Sequence, residues 1–471
     1  TGTDNVAIGD QALKVNTTAS NNVAVGSSAL LANTTGAGNT ATGSGALYSN
    51  TTGEDNVSVG RNSLYTNTTG IDNTAMGVNA LGANTTGSKN VAVGEASLDA
   101  NTTGQENVAV GRDSLTSNTT ASYNSAFGDE SLGSCTTGAS NTAVGNDALY
   151  GTTTGYRNTA VGDQALGANT TGTDNVAVGY GSLVANTTAS NNTAVGYLAL
   201  TANTTGANNT ASGYQALFAN TTGASNVALG TNALVANTTG ASNTAVGKSA
   251  LDACTTGTGN NAVGENGLGS LTTGDNNTSV GRSGGGITTG DSNISIGYDV
   301  LSGTTTGSKN VYIGQSNGDS GVTGSNNIAI GYHAGRSDSP SGTITSNSNR
   351  LCLGDNNITH AYIKVDWTVT SDERDKMNFS EVPHGLSFVN DLQPVKFDFK
   401  KSRDNATPHG KTKYGFKAQD ILALEGDSPI IIDNENEDSL KVTNSYLIPV
   451  LVKAIQELST KNDALVARIT A

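Results

Sequence analysis

From residue 5 to residue 331, apolar and polar positions recur with a fixed period. Residues 22–38 read NVAVGSSALLANTTGAG, and residues 39–55 read NTATGSGALYSNTTGED. The opening Asn returns every 17 residues from Asn5 to Asn277, comes one residue early at Asn293, and resumes at Asn310 and Asn327. The consensus is N-V/T-A-V/I-G-x-x-A/S-L-x-x-N-T-T-G/A-x-x. A short fixed period marks a solenoid, whose coils bury their apolar faces only by stacking on one another.

Within N-V-A-V-G the alternating large positions share one face of a short strand. The variable slot there holds Val25, Met76, Phe127 and Leu229. All are apolar, so this slot is expected to face a core. The Leu slot, from Leu13 and Leu30 on to Leu268, is nearly unvaried and is expected to face the same core. The pair after each Gly accepts Asp, Arg, Lys, Tyr and Ser alike, as a solvent-facing turn does. Seventeen residues fit a coil of two short strands and two turns. Each strand then pairs with its copy in the next coil, so the sheets are parallel. About twenty coils at about 4.8 Å each make a rod on the order of 95 Å long.

The second Asn of the repeat opens an N-T-T triplet, which has the form of a glycosylation acceptor. The same slot also holds Cys135, Cys254, Leu271 and Ile287, and never a charge. A slot that accepts Leu and Cys is a buried one. Its Asn side chains are therefore expected to stack inward as a hydrogen-bonded ladder, as identical amides do in register.

Composition narrows the function. The 471 residues include 60 Gly and only 13% charged residues, against about 25% in ordinary globular chains. The net charge of -15 suits a soluble particle and argues against a nucleic-acid partner, because nothing neutralises phosphates. No run approaches the roughly 18 apolar residues of a membrane span. The chain begins in the tail of a repeat without an initiator Met, so a preceding portion is expected. Cys135 and Cys254 lie seven coils apart, roughly 34 Å at the coil spacing, and cannot pair within one chain. The four histidines (His333, His360, His384, His409) are scattered. Neither a metal site nor a cofactor is expected.

Three segments are expected: a solenoid shaft over 1–331, a neck with a last degenerate rung over 332–370, and an α+β domain over 371–471. The neck carries Pro, Gly and Ser and the only Trp, Trp367. From Ser371 the composition becomes rich in Lys, Asp and Glu. There SDERDK, GLSFVNDLQPVKFDFK, KYGFKAQDI and YLIPVLVKAIQEL follow in order.

Those four motifs resemble the intramolecular chaperone domain at the C-terminus of phage tail fibres and endosialidase-type tailspikes. The resemblance implies a domain that trimerises, guides folding of the upstream β-structure, and cuts itself off before the Ser of S-D-x-R-x-K. Carried onto this sequence, that Ser is Ser371, followed by Asp372, Arg374 and Lys376, and the bond cut is Thr370–Ser371. The N-V-A-V-G rungs are similar in motif, though not in repeat length, to the head repeats of trimeric autotransporter adhesins. Those are left-handed parallel β-rolls assembled in threes.

Read without the family, Ser with Lys can form a nucleophile–base pair if the Lys is neutral, which requires desolvation. Five residues apart, the two point to opposite faces of a strand and lie about 140° apart on a helix. Ser371 and Lys376 of one chain therefore meet only if the segment loops back. Otherwise the Lys comes from a neighbouring chain, and both options stay open. Asp372 and Arg374 would orient the turn.

Ile448, Ile455, Asn462 and Ile469 alternate with Leu451, Leu458 and Leu465, which is a coiled-coil seam. Ile at a with Leu at d favours a dimer by itself, so a homotrimer is what the resemblance implies. The alternative is a helix packed on its own domain.

The expected fold class is mainly β: a homotrimeric parallel β-solenoid or β-roll of 17-residue coils, then a small α+β chaperone domain with a C-terminal coiled-coil helix. The expected function is a structural tail-fibre or tailspike shaft, located extracellularly on a virion tail, with single-turnover Ser–Lys autoproteolysis as its one reaction. Its expected partners are its own copies and a host-surface receptor, for which a glycan is a candidate; no nucleic acid and no membrane are expected. Tyr180, Tyr197 and Tyr214 share one turn slot on consecutive rungs and form a candidate receptor contact, because exposed aromatics stack on sugars. The alternatives are a polysaccharide-depolymerising tailspike and an adhesin-like receptor-binding rod. Acidic residues of the repeat fall on variable turns, without the fixed carboxylate pair that glycoside cleavage uses.

Overall fold

In the computed structural model, the described residues are 1–470 except 283, 304, 319–320, 365–370, 403–404, 436 and 438–439. They form two compact units. One comprises Thr1–Arg336 with Thr343–Leu353, the other Ser337–Gly342 with Gly354–Ala471.

The first unit is a parallel β-solenoid of 17-residue coils. One three-residue strand per coil, from Val6–Ile8 to Leu351–Leu353, builds a 21-stranded sheet. Val91 pairs with Val108 and Val108 with Ser125, so a residue meets its counterpart 17 positions on, except where Thr278 pairs with Ile294 and Ile328 with Leu351. Identical side chains therefore form ladders along the unit.

The strand face is the reverse of the expectation. The middle Ala of each strand points inward, with Ala24, Ala92 and Ala160 fully buried. The flanking large residues point out: Met76 is 45% exposed, Phe127 42% and Leu229 39%, while Val25 is half-buried. The physical reason is volume. A coil this small already encloses a Leu and two Asn side chains, so only Ala, Ser or Cys fits inward from most strands. Tyr312 is the exception. Its ring is buried where the Leu slot of its coil holds Gly318, whose Cβ would lie 2.5 Å from Tyr312 Cε1.

The expected second strand does not form either. After each strand the chain runs through turns that still bond coil to coil, as in Leu30 N to Ala46 O (3.0 Å) and Thr34 N to Thr51 O (3.0 Å). The cause is the Leu slot itself, which takes φ between +49° and +55° from Leu13 to Leu301. That left-handed conformation costs an L-residue about 1–2 kcal/mol, and it interrupts any extended run. Full burial of the side chain returns about 1.5–3 kcal/mol, so Leu persists. Where Leu is lost, Gly285, Gly318 and Gly335 replace it, each at positive φ.

Both Asn slots are buried ladders, as expected of the second. Asn84 Nδ2 donates to Asn67 Oδ1 (2.8 Å) and to Gly87 O (2.9 Å). Asn90 Oδ1 accepts the Asn107 backbone N–H (3.0 Å). These carboxamides satisfy backbone groups that turns would otherwise orphan inside the coil. With Asn84 at 0% exposure, the triplet is structural rather than a glycan acceptor. Cys135 and Cys254 are free and buried, and Cys352 is buried as well.

The second unit is α+β. Helix Leu386–Asp391 leads to the antiparallel hairpin Val395–Ser402 with Asn405–Gly415, then helix Ala418–Glu425, a short antiparallel pair Ile432–Asp433 with Lys441–Val442, and helix Leu447–Thr470. Its core gathers Phe388, Leu392, Ile421, Ile431, Ile432, Leu447 and Val450. The C-terminal helix packs on this core through Leu447, Val450 and Ala454. Its seam lies on another face: Ile448, Leu451, Ile455, Leu458, Leu465 and Ile469 are all exposed, from 43% to 75%. Packing on the domain and presenting a free seam thus coexist in one helix.

Candidate functional site

Chemistry concentrates where the second unit's charged sequence begins. Asp372 caps a single 3-10 turn, Glu373–Asp375, and its carboxylate accepts the Arg374 backbone N–H at 2.9 Å. The Arg374 guanidinium folds back on the same carboxylate, with Nε 3.0 Å from Oδ1 and Nη2 2.5 Å from Oδ2. This pairing, first through the side chain and then through the backbone N–H, holds the Asp372 carboxyl below the ordinary carboxylate range. Asp372 raises the Arg374 guanidinium in turn. The turn closes when Lys376 N donates to Glu373 O at 3.1 Å.

This reversal brings together residues that neither a strand nor a helix could. Lys376 Nζ donates to Ser371 Oγ at 2.6 Å within one chain. Both side chains are exposed in the single chain. Thr370, the other side of the expected scissile bond, and Trp367 lie outside the described residues.

Other contacts brace the domain. Glu425 accepts three consecutive backbone N–H groups, from Ile430 (2.9 Å), Ile431 (2.8 Å) and Ile432 (3.1 Å). Glu457 caps the Leu386 N–H at 2.8 Å from 71 residues away. Nothing local in the sequence marks these partners, because a lone Glu on a helix reads as a solvated charge.

On the solenoid, Tyr180, Tyr197 and Tyr214 stack with centroids 5.5 Å apart and interplanar angles of 14° and 5°. Their ring faces are largely taken by one another, which leaves edges and hydroxyls toward solvent. One group of carboxylates on the same unit, Asp113, Asp129 and Glu130, is clamped by Arg112, with Nη2 2.9 Å from Asp129 and 3.3 Å from Glu130. Among the described residues no group of His, Cys, Asp and Glu is arranged to hold a metal ion, and no helix is long and apolar enough to cross a membrane.

No curated protein and no solved structure matches the chain. One family does match, over residues 371–426, described as the chaperone of endosialidase. The match opens on Ser371 itself and runs through the helix that ends in Glu425. Behind its β-solenoid body, this chain carries a chaperone-of-endosialidase domain.

Proposed function

We propose that the chain is the shaft of a phage tail fibre or tailspike, displayed on the virion tail for host attachment, whose C-terminal domain assembles three copies, guides their folding and then cuts itself free at Thr370–Ser371. A chaperone of this family implies trimer assembly of the β-structure that precedes it. The observation that carries the cutting step is the 2.6 Å contact between Lys376 Nζ and Ser371 Oγ, at the first residue of the family match.

The chemistry balances without a co-reactant other than water. Ser371 Oγ loses its proton to Lys376 and bonds to the Thr370 carbonyl carbon. The peptide C–N bond breaks as the Ser371 nitrogen takes that proton back, which leaves an ester between Thr370 and Ser371. Water then hydrolyses the ester and frees the Thr370 carboxylate. Lys376 serves as base only as a neutral amine, and desolvation favours that form. Both side chains are exposed in the single chain, and in this reading the cut follows the assembly that covers them. Asp372 and Arg374 shape the turn; Arg cannot act as a base. Intact-mass measurement of the wild-type chain and of Ser371→Ala tests this reading. Cleavage of the wild type before Ser371, absent in the variant, is the expected result.

A further inference from the structure

The outward face of the solenoid sheet is at odds with a lone rod in water. Two positions of every strand point out, and across the 21 strands none of them holds a charged residue. Val, Thr and Ile dominate, with Met76, Phe127 and Leu229 among the largest, and many of these side chains are more than a third exposed. The charges of the same unit sit on its turns instead, as Asp72, Lys89, Glu106 and Arg157 do. A chain of net charge -15 that spares one whole face is keeping that face for contact.

We propose that this sheet face is where the shafts of three copies pack against one another, each strip turned toward a common axis. The inference rests on the trimer reading above and adds the surface. Area supports it. A strip three residues wide and about 20 rungs long measures roughly 10 Å by 95 Å, or about 950 Å² per copy, which is comparable to the roughly 800 Å² per partner of a standard stable interface and is shared between two neighbours. Period supports it as well. Whatever covers the strip must be flat, uncharged and matched to a rise of about 4.8 Å over its whole length, and a second copy of this ladder meets all three conditions. Under rotational symmetry each rung meets the same rung of its neighbours. At two rungs side-chain volume follows that rule: Phe127 shares its strand with Ser125, and Met76 shares its strand with Thr74.

Single cysteines at Thr159 and Val161, the two outward positions of one rung, test the proposal with little change in volume. The native thiols are buried, so a short bis-maleimide reads the introduced ones. The expected result is covalent dimers from Thr159→Cys or Val161→Cys, at a yield independent of dilution, and none from Thr171→Cys on the exposed Thr row. Sedimentation of the same samples separates two failures. Trimers with no crosslink from either strand position would overturn the proposed surface and leave the trimer standing. Monomers would overturn the trimer itself, and the surface with it.

Discussion

Cys135 occupies the rung after Asn118 and leaves the Asn118 Oδ1 without a donor. Everywhere else in that stretch the next amide supplies one, as Asn118 Nδ2 does for Asn101 Oδ1 at 2.8 Å. A thiol at position 135 reaches only its own turn, Gly138 O at 3.2 Å. Cys254 does the same to Asn237, and the Oδ1 atoms of both Asn residues are buried with no partner.

Cys135→Asn should therefore stabilise its neighbourhood. An orphaned buried acceptor costs about 1–3 kcal/mol, and the new amide can donate to both Asn118 and Gly138. Native-state hydrogen exchange across residues 118–152 should show local opening made harder by up to that amount. Unchanged exchange rates there would mean that the ladder is not continuous through this slot.

The same burial fixes a pH dependence. Desolvation pushes the Cys135 and Cys254 thiols up to about 11, so the folded coil favours the neutral form. A raised thiol value contributes stability at neutral pH and loses it as pH climbs from the ordinary thiol range, near 8.5, toward 11. Alkylation by iodoacetamide at pH 8.5 should be negligible in the folded shaft and complete after denaturation. Fast alkylation without unfolding would contradict the buried placement.

The turn after each strand depends on glycine for two reasons at once. Gly111 has φ +136°, and a Cβ there would lie 2.3 Å from the Gly128 carbonyl oxygen of the next coil. Gly111→Ala should cost at least about 1–3 kcal/mol from backbone strain alone, with the clash added. Ser88→Lys, on a variable turn, should change the thermal midpoint little. Equal midpoints for the two variants would show that the coils are spaced more loosely than their hydrogen bonds indicate.

Much of this unit was legible in the sequence, for reasons that also explain what was not. A strict period requires an in-register parallel stack, and a slot shared by Asn, Cys, Leu and Ile is a buried one. The direction of Val25, Met76 and Phe127 was misread because large apolar residues ordinarily mark a core. In a coil this narrow the small Ala24 does. The positive φ of the Leu slot also left a trace: its replacements are Gly285, Gly318 and Gly335. In the second unit, the Ser371–Lys376 spacing left two options open, and only the closed turn under Asp372 makes the contact within one chain. The Glu457 cap on Leu386, 71 residues away, had no local signature.

The stacked tyrosines carry a prediction about attachment. With ring faces turned to one another, Tyr180, Tyr197 and Tyr214 offer edges and a row of hydroxyls. A glycan would meet them by hydrogen bonds at those hydroxyls and by stacking only at the two ends of the row. If they serve as the receptor contact, the triple Phe variant should lose most adsorption to host cells while the ladder stays stacked. Full adsorption by both the triple Phe and the triple Ala variants would remove these residues from the receptor site.

Release is the prediction with the most parts to separate. Ser371→Ala removes the proposed nucleophile and Lys376→Ala the proposed base, so both should yield full-length chains that still assemble into folded trimers, because neither side chain belongs to the core around Phe388 and Ile421. Asp372→Ala removes the cap and the Arg374 pairing, so it should slow the cut without abolishing it: Ser371 and Lys376 remain but meet less often. Acid should act in the same direction. The Asp372 carboxyl is held below its ordinary range, so its support of the turn persists at neutral pH and is lost only as pH falls through that lowered value. Once the bond is cut, the folding template is no longer joined to the rod. Unwinding a stack of interlocked coils then becomes a slow cooperative step with no return path. The uncut Ser371→Ala rod should accordingly refold after denaturation, and the matured wild-type rod should not. Cleavage of Ser371→Ala at the same bond would refute the nucleophile, and a monomeric uncut chain would refute the separation of assembly from cutting.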